Sequence, residues 1–233
     1  MYDIVFISYK ESNAEQNWQL LRDRMPYAKR LHGITGLHTA HAVAANMVST
    51  SMFYVVDGDA VIDTSFNFDY SVPDNKRECV HVFRARNPVN NLVYGYGAIK
   101  LLPTADVLKV SSVPMKPDVT TSINRKYEIV NIVSNITKFD TDSFNTWRSA
   151  FRECAKLGSK IIPEQQDRET EHRLNIWCTF DNNTTYGKWC IDGANAGKEY
   201  GIVNRSNNAA LMLINDMNYM QQLFDHRSAS IKW

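Results

Sequence analysis

The sequence lacks the usual signatures of cysteine chemistry, of membrane insertion and of strong binding to polyelectrolytes. Its four cysteines (Cys79, Cys154, Cys178 and Cys190) show neither a C-x-x-C motif nor a zinc spacing, so we expect free thiols in a reducing compartment. No apolar run approaches the ~20 residues that cross a bilayer, so we expect no membrane partner. Lys and Arg number 26 against 25 Asp and Glu, so the net charge draws the whole chain to neither nucleic acid nor membrane.

Several catalytic motifs are also missing. The sequence has no G-x-x-x-x-G-K-[ST] loop, no G-x-G-x-x-G after its first apolar run and no G-x-S-x-G elbow. His38 and His41 lie three apart without an H-E-x-x-H motif, which disfavours a zinc site. Met1 leads straight into an apolar run without a basic start or cleavage site, so we expect no signal peptide and a cytoplasmic location.

The first part of the sequence predicts a doubly wound α/β sheet. The 233 residues are 44% hydrophobic, enough for one domain with a real core over residues 1–233. Strands are predicted at 3–9, 30–34 and 52–56, with helices after Ser12 or Asn13 and over 38–49. This β-α-β-α-β order is typical of a Rossmann-like sheet flanked by helices.

The second part predicts that the sheet is mixed. Strands are predicted at 79–86, 92–102, 107–113 and 127–133, and the second of these contains two glycines and stops at Pro103. A helix is predicted over 144–157, with apolar residues at helical spacing, and another over 211–224. We find no repeat and no low-complexity linker, so a second domain is not predicted.

The strongest functional signal is the end of the third strand, F-Y-V-V-D-G-D. An apolar run stops at Asp57 and Asp59, which are separated by Gly58. Open α/β sheets place ligands at the carboxyl ends of their strands, and paired aspartates suit Mg²⁺ or Mn²⁺. The glycine lets a phosphate approach the backbone. The run therefore predicts metal-dependent chemistry on a nucleotide or phosphate, although D-G-D also forms ordinary turns.

The order of DIVFISY, helix, strand, the helix GLHTAHAVAANM and FYVVDGD resembles the GT-A glycosyltransferases, whose D-x-D motif holds a metal against a sugar nucleotide. The resemblance implies a nucleotide-sugar-binding half at 1–105 and an acceptor-side half at 106–233. It places Ser8 and Tyr9 near the base or ribose, and Asn46 facing the nucleotide. Asp57, Gly58 and Asp59 would meet the metal, ribose and phosphates. The donor would be a UDP-sugar, with Mn²⁺ or Mg²⁺.

A looser resemblance is to small phage glycosyltransferases that modify DNA bases. It implies a hydroxymethylated pyrimidine, such as modified cytosine in DNA, as the acceptor, and the host cytoplasm as the location. In such enzymes an extruded base would have to reach the site. The transferred sugar would be a hexose or a pentose, and the sequence does not determine the oligomeric state.

The segment Tyr94-Gly95-Tyr96-Gly97 follows as a candidate acceptor site. It is either a strand with glycine kinks or, as the resemblance implies, a place where the glycines admit a sugar ring and the tyrosines cover it. Lys100 is expected at the surface, with a phosphate contact as the alternative.

Two acids and a basic stripe surround the predicted helix 144–157. Asp142 is placed either to cap the helix or, as the resemblance implies, to act as the catalytic base, with Asp140 beside it. The usual Glu-Asp pair of the family is absent here. Arg148, Arg152, Lys156 and Lys160 recur every four residues, either as a solvated face or as a track for DNA phosphates.

The segment 189–198 is rich in glycine and alanine and is predicted to be a mobile loop. The resemblance implies that such a loop closes over the donor. Asp192 would then be a further metal ligand and Lys198 would contact the diphosphate. The histidine that the family often carries here is absent.

Two other classes of function compete with sugar transfer. D-G-D-A-V-I imitates the nucleophile loop of haloacid-dehalogenase-type phosphatases, but that family sets the loop on its first strand and adds a later acidic pair. The other alternative is a non-catalytic module that binds a nucleotide or DNA, in which Asp57 and Asp59 are structural. The sequence best fits a metal-dependent glycosyltransferase.

Overall fold

The computed structural model describes residues 1–112, 115–124, 126–162 and 166–231. The chain divides into two units, each with its own hydrophobic clusters. Unit 1 consists of Met1–Pro88, Val93–Met115 and Val119–Lys138, and unit 2 of Val89–Leu92, Lys116–Asp118 and Phe139–Trp233. The single domain over 1–233, with halves at 1–105 and 106–233, stays a prediction.

Unit 1 contains the β-strands of the described chain. They are β1 (Asp3–Ser8), β2 (Lys29–His32), β3 (Met52–Asp57), β4 (Ala60–Ile62), β5 (Val80–Arg86), β6 (Val93–Tyr94), β7 (Ile99–Pro103) and β8 (Tyr127–Thr137). The helices of this unit are α1 (Ala14–Arg24), α2 (Leu37–Asn46), α3 (Thr104–Leu108) and α4 (Val119–Ile123), with short 3-10 turns at Asp74–Lys76 and Val110–Ser112.

The strands form one mixed sheet in the order β2-β1-β3-β7-β5-β8-β4, and β6 pairs with β5. β1 runs parallel to β2 and to β3, whereas β7 runs antiparallel to both β3 and β5. β8 is parallel to β5, and β4 returns antiparallel to β8. The predicted Rossmann-like mixed central sheet flanked by helices is therefore confirmed.

The central strands are buried on both faces because helices cover both. Ile4 and Phe6 of β1 pack with Trp18 and Leu21 of α1 on one face. The alternating residue Val5 packs with the α2 alanines on the other face. This alternation follows from the period of two in a strand, and it explains why β1 and β3 read as continuous apolar runs.

A partly buried carboxylate, that of Asp3, lies where β1 begins. Asp3 accepts hydrogen bonds from the Ser49 and Thr50 backbone amides at 2.8 and 3.1 Å, and Lys29 Nζ lies 3.0 Å away. Burial tends to raise the pKa of Asp3, but these donors outweigh it and hold that pKa well below its usual range. The amino ends of β1 and β2 are thereby tied to the chain that follows α2.

Unit 2 is helical in the residues described. Its helices are α5 (Ser143–Ser159), α6 (Asp167–Thr179), α7 (Gly187–Val203), α8 (Asn208–Met212) and α9 (Met217–Ser230), with a 3-10 turn at Leu213–Asn215. α5 carries the predicted apolar face, and Trp147 and Phe151 of that face are buried. Among the residues described in either unit, every helix is too short or too polar to cross a bilayer.

The backbones of α5 and α7 touch along a row of glycines. A Cβ atom on Gly193, Gly197 or Gly201 would lie 2.2–2.3 Å from the carbonyl oxygen of Trp147, Phe151 or Ala155 respectively. Gly158 of α5 makes the same kind of contact in the opposite direction, since an added Cβ there would lie 2.8 Å from the Lys198 carbonyl oxygen. Only glycine permits this close approach of two helices.

Two predicted elements are wrong, and two others are interrupted. Residues 189–198 form part of helix α7 and not a loop, because the glycines that suggested a loop line the contact with α5. Residues 107–112 form helical turns and not a strand, and Val113 lies outside the described residues. The run 92–102 divides into β6 and β7 around Gly97, whose φ is +85°. The run 211–224 is interrupted at Asp216, which caps α9.

Gly197→Ala should lower the free energy of unfolding by about 2 kcal/mol, the cost of forcing extra volume into a packed contact. Alanine has the higher helix propensity by about 1 kcal/mol, so a loose contact would give the opposite sign. Glu199→Ala, at an exposed position of α7, is the control and should stay within about 0.5 kcal/mol of wild type. Urea denaturation followed by tryptophan fluorescence measures both, and a stabilised Gly197→Ala protein would refute the close packing.

His81 should make the fold sensitive to acid. It is fully buried on β5, Nε2 lies 2.9 Å from the Lys76 carbonyl oxygen, and burial lowers its pKa below the ordinary 6.5. The unfolded chain therefore takes up this proton first, so stability is complete above about pH 6.5 and falls as the pH drops towards the folded-state pKa.

Urea denaturation at pH 7.5 and pH 5 should show a smaller loss of stability in His81→Gln than in wild type. The same change at the exposed His226 serves as the control and should retain the wild-type loss. Equal losses in the three proteins would exclude His81 as a source of acid sensitivity.

Candidate functional site

Three strand ends of unit 1 meet at one edge of the sheet. The parallel registers align Ser8 with His32 and Ile7 with Asp57. Because parallel strands end together, the carboxyl ends of β1, β2 and β3 form a common edge. Ser8 Oγ and His32 Nδ1 share a hydrogen bond of 2.9 Å there, which fixes the orientation of the exposed imidazole. Asp57 lies at the same edge, and β1 separates its strand from that of His32.

The antiparallel strand β7 begins at this edge and brings a cation to it. Asp57 N donates to the Ala98 carbonyl oxygen at 2.9 Å, and Lys100 Nζ lies 3.7 Å from Asp57 Oδ2. The Lys100 side chain is 8% exposed, whereas that of Asp57 is 38% exposed. A lysine so deeply buried requires a compensating charge, which Asp57 supplies.

Gly97 provides the space for that lysine. Its φ of +85° is a conformation that favours glycine, and a Cβ there would lie 2.7 Å from Lys100 Cε and 3.2 Å from Nζ. The Lys100 stem therefore crosses the face of Gly97 on its way to Asp57.

Gly58 is in contact with the chain that follows β1. A Cβ on Gly58 would lie 2.8 Å from Glu11 Oε2 and 2.9 Å from Ser8 Cβ. Glu11 Oε2 accepts a hydrogen bond of 2.7 Å from the Tyr9 amide, and buried Asn17 Nδ2 donates to the Gly58 carbonyl oxygen at 2.9 Å. The D-G-D turn is thus held on the segment that links β1 to α1.

Asp59 is half-buried at the start of β4. Its carbonyl oxygen accepts from the Lys138 amide at 2.7 Å, and Asn13 Nδ2 donates to the Lys138 carbonyl oxygen at 3.1 Å. These bonds fix the backbone on the far side of Gly58. Asp57 and Asp59 are consequently held at either end of one short, anchored turn.

Asp57 and Asp59 carry the type of ligand atom that a divalent cation prefers. Asp57 and Asp59 are both partly exposed, and carboxylate oxygens suit Mg²⁺ and Mn²⁺. Across the described part of the chain, no three His, Cys, Asp or Glu side chains group closely enough to form a full protein cage. Mg²⁺ usually binds through one or two carboxylates plus substrate phosphates, so two suffice.

Of the residues predicted for the nucleotide, most gather at this edge, but Asn46 does not. Ser8 is buried under His32, and Tyr9 is partly exposed beside it. Asn46 is the last residue of α2, which begins at the carboxyl edge and runs back towards the start of β3. It therefore lies at the opposite edge of the sheet, where its amide donates to the Ala42 carbonyl oxygen at 2.8 Å. The prediction that Asn46 faces the nucleotide is wrong.

The glycines of the Tyr94–Gly97 segment are needed by the protein itself. A Cβ on Gly95 would lie 2.8 Å from Ile129 Cδ1, and Gly97 accommodates Lys100. Tyr94 is 5% exposed and stacks on Tyr96 with ring centroids 4.8 Å apart. Side chains of unit 1 fill the space on the Cβ side of both glycines, and room for a sugar ring elsewhere along the segment stays a prediction. The acceptor role of the segment stays a prediction, with Tyr96 as its more exposed ring.

Asp142 of unit 2 caps helix α5. Its Oδ1 accepts from the Asn145 amide at 2.7 Å, and its Oδ2 accepts from Asn145 Nδ2 at 2.6 Å. The capping alternative from the sequence is therefore confirmed, and these bonds account for the position of the carboxylate. The roles of Asp142 and Asp140 as catalytic bases stay predictions.

The cations of the basic stripe on α5 contact groups of unit 2. Lys156 pairs with Glu153 at 2.9 Å and with Asp118 at 3.6 Å. Lys160 pairs with Asp167 at 2.5 Å, and Arg152 donates to Asn215 Oδ1 at 2.7 Å. Arg148 lies over the Phe144 ring at 6.0 Å. Lys160 is exposed and Lys156 is largely buried in its ion pairs, so only part of the stripe faces solvent. Contacts of Arg148 and Arg152 with an acceptor stay predictions.

Asp192 and Lys198 lie on helix α7. The Asp192 carboxylate accepts from Trp147 Nε1 at 2.8 Å and pairs with Arg227 at 2.8 Å. Because the segment is a helix packed on α5, the expected loop closure over a donor is wrong. The roles of Asp192 as a metal ligand and Lys198 as a diphosphate contact stay predictions.

The positions of His32 and Glu11 at this edge were not predicted from the sequence, and Lys100 is buried although it was expected at the surface. His32 ends β2 just before Gly33, so the strand order alone would have brought it to the edge of Ser8. Lys100 lies in an otherwise apolar strand, and its partner Asp57 becomes visible only once β7 is paired antiparallel to β3. Nothing in the sequence indicates the contact between Glu11 and Gly58.

No family profile matches the chain, and no curated protein matches it. Among solved structures, the chain is similar to a protein assigned as a glucose-1-phosphate thymidylyltransferase from Bacillus anthracis, in complex with a sucrose. The two chains are 14% identical with a TM-score of 0.36, over 56% of this chain and 68% of that one. A similarity of this extent carries no argument about function.

Gly58→Ala should destabilise unit 1 by about 1–3 kcal/mol, because the new methyl group overlaps Glu11 and Ser8. Removing the Glu11 carboxylate relieves part of the overlap, so the double variant Glu11→Ala/Gly58→Ala should lose less than the sum of the two single variants. Urea denaturation of the four proteins gives the coupling. Strict additivity would contradict the contact between Gly58 and Glu11.

Proposed function

We propose that this protein transfers a sugar from a nucleotide-sugar donor to an acceptor hydroxyl, using Mn²⁺ or Mg²⁺ at Asp57 and Asp59. The observation that carries the proposal is the position of these two acids. They follow a buried central strand at the point where the order of strands reverses.

That reversal lies between β1 and β3. The chain goes outward from β1 to β2 and then returns to the other side of β1 to form β3. The connecting helices α1 and α2 pack on opposite faces of the sheet. Such a switch point leaves a crevice outside the carboxyl ends of the two strands, where open α/β sheets bind their ligands. Ser8 and Tyr9 flank this point on one side and Asp57 to Asp59 on the other.

The roles in donor binding follow from this arrangement together with the family resemblance. Asp57 and Asp59 would hold the metal, and Ser8, Tyr9 and His32 would lie near the base or ribose of a UDP-sugar. When bound, a divalent ion supplies a Lewis acid and a template for the departing diphosphate. The anchored Gly58 keeps the two carboxylates apart and leaves the turn without a side chain at its centre.

The transfer replaces one bond of the anomeric carbon by another. The bond from the anomeric carbon to the diphosphate oxygen breaks, a bond to the acceptor oxygen forms, and the acceptor proton passes to a base. The anomeric carbon develops oxocarbenium character in such reactions. Asp142 or Asp140 would take the proton if the configuration inverts, although Asp142 would have to do so from within its helix cap.

For the acceptor we infer a hydroxyl group, and a hydroxymethylated pyrimidine of phage DNA is the candidate to test. It is supported by the looser family resemblance. The stripe on α5 does not add support, because its cations are engaged within unit 2. Tyr96 or Trp189 stacking on an extruded base belongs to the same hypothesis.

The two alternative functions, a phosphatase and a non-catalytic binding module, would require different residues at this site. A haloacid-dehalogenase-type phosphatase would need a further acidic pair beside Asp57 and Asp59, and the described residues place no such cluster there. A binding module without catalysis would use Asp57 only as the partner of Lys100. It would bind a nucleotide without turning over a sugar.

A panel of nucleotide sugars with Mn²⁺ should identify a donor through slow hydrolysis, because water serves as a poor acceptor. Release of the nucleoside diphosphate should require metal and fall about 100-fold or more in Asp59→Asn, since even changes behind the metal ligands cost 10- to 100-fold. Asp69→Asn is the matched control, as Asp69 lines a separate cavity with Met1 and Tyr2 at the other edge of the sheet. It should keep the wild-type rate.

Absence of release across the panel, or release that survives EDTA and Asp59→Asn, would contradict metal-dependent sugar transfer. A phosphatase would instead free inorganic phosphate from simple phosphate esters. Adding DNA that carries hydroxymethylcytosine tests the acceptor through the mass of the product, and an unchanged mass would remove DNA from the proposal.

A further inference from the structure

Lys100 is the unusual group of the candidate site. It lies in β7, all five of whose residues are buried, and its own side chain is more than nine-tenths buried. Among the described residues its ammonium makes no hydrogen bond, and its charged neighbour is Asp57 at 3.7 Å. That distance gives Coulomb attraction without a hydrogen bond. A lysine with a buried stem, close to a partly exposed carboxylate but without a hydrogen bond to it, can donate to an anion bound at the same strand end.

The backbone around Lys100 leaves room for its side chain at the strand end. The chain supplies glycine at residue 97, with a positive φ, and any Cβ there would collide with the Lys100 stem. Asp57 is tied to the start of β7 by its backbone bond to Ala98. The Lys100 side chain is therefore largely buried at the strand end beside Asp57 and is not a surface side chain.

We infer that Lys100 is the diphosphate-binding cation of this site and that, when no diphosphate is present, it competes with the divalent ion for Asp57. The inference rests on the proposed function, since it names the group that receives the donor's diphosphate. A pyrophosphate has the charge and the acceptor oxygens to satisfy the donors that Lys100 leaves unused.

The competition follows from the charges. Asp57 cannot neutralise an ammonium and a divalent cation at full strength together, and the two cations repel each other. Lys100 therefore weakens binding of the metal alone. A diphosphate brings negative charge to both cations, so metal and diphosphate should bind cooperatively. Lys100 thus delays tight metal binding until the donor arrives.

Removing the charge of Lys100 should shift the affinities for Mn²⁺ and for pyrophosphate in opposite directions. The variant is Lys100→Met, which keeps the apolar stem, and the probes are MnCl₂ alone and inorganic pyrophosphate in EDTA, because the base of the donor is unidentified. Isothermal titration should show about tenfold tighter Mn²⁺ binding and about tenfold weaker pyrophosphate binding than in wild type. Lys76→Met is the control, because Lys76 also pairs with a carboxylate, Glu128 at 2.7 Å, away from the strand end of Asp57.

Asp57→Asn provides the reciprocal test and guards against misfolding of the lysine variant. It should weaken Mn²⁺ binding and strengthen pyrophosphate binding in EDTA, because the ammonium loses its competitor. In either variant, the inference would be overturned if the affinities for Mn²⁺ and pyrophosphate changed in the same direction. It would also be overturned if one of them stayed at the wild-type value. Wild-type protein that binds no pyrophosphate would overturn it as well.

The experiments distinguish a failure of the proposed function from a failure of the role inferred for Lys100. Opposite shifts in the two affinities, without sugar release from any nucleotide sugar, would leave Lys100 as an anion site in a protein that is not a glycosyltransferase. Sugar release with unshifted affinities would retain the transferase and reject the role of Lys100.

Discussion

Parallel pairing of β1 with β3 is the constraint on which the candidate site depends. It brings the end of β1 level with Asp57, and the connecting helices α1 and α2 lie on opposite faces, the arrangement in which open α/β sheets bind ligands. A shift of the register by one residue would reverse every side chain of β3, so the buried faces of the sheet specify the position of the D-G-D turn. The site is therefore fixed by the core beneath it.

The antiparallel strand β7 changes the chemistry of that position. In an all-parallel sheet the neighbour of β3 would also end beside Asp57, whereas β7 begins there and presents Lys100 within its first residues. A carboxylate pair at a strand end is thereby combined with a buried ammonium. Under the proposed function, the affinities for metal and for diphosphate would be coupled because both involve Asp57.

Much of unit 1 was predictable because its central strands are apolar on both faces. Runs such as residues 3–8 and 52–56 have no other stable place than a covered sheet, and the polar residues after them mark the strand ends. What could not be predicted depends on long-range pairing. Lys100 looks like a surface lysine until β7 is set against β3, and the contact of Glu11 with Gly58 has no local signal. Asn46 was misplaced although a helix that begins at one edge must end at the other.

In unit 2, a segment rich in glycine and alanine is compatible with either a loop or a closely packed helix. Glycine and alanine over 189–198 suggested a loop, yet Gly193, Gly197 and Gly201 are spaced by four residues and meet the α5 backbone. The spacing was visible in the sequence, but its partner helix was not. The cations of α5 likewise could not be distinguished from a solvated stripe until Asp118, Asp167 and Asn215 were in place.

The central claim is that Asp57 and Asp59 hold a divalent ion at the carboxyl edge of β3. Paramagnetic broadening of backbone amide signals by Mn²⁺, added with UDP, tests it most directly. The account predicts early loss of the signals of Tyr9, Gly58 and Gly97, while Asn46 at the opposite edge stays sharp. Broadening centred elsewhere, or signals of Gly58 that persist at saturating Mn²⁺ and UDP, would contradict the claim.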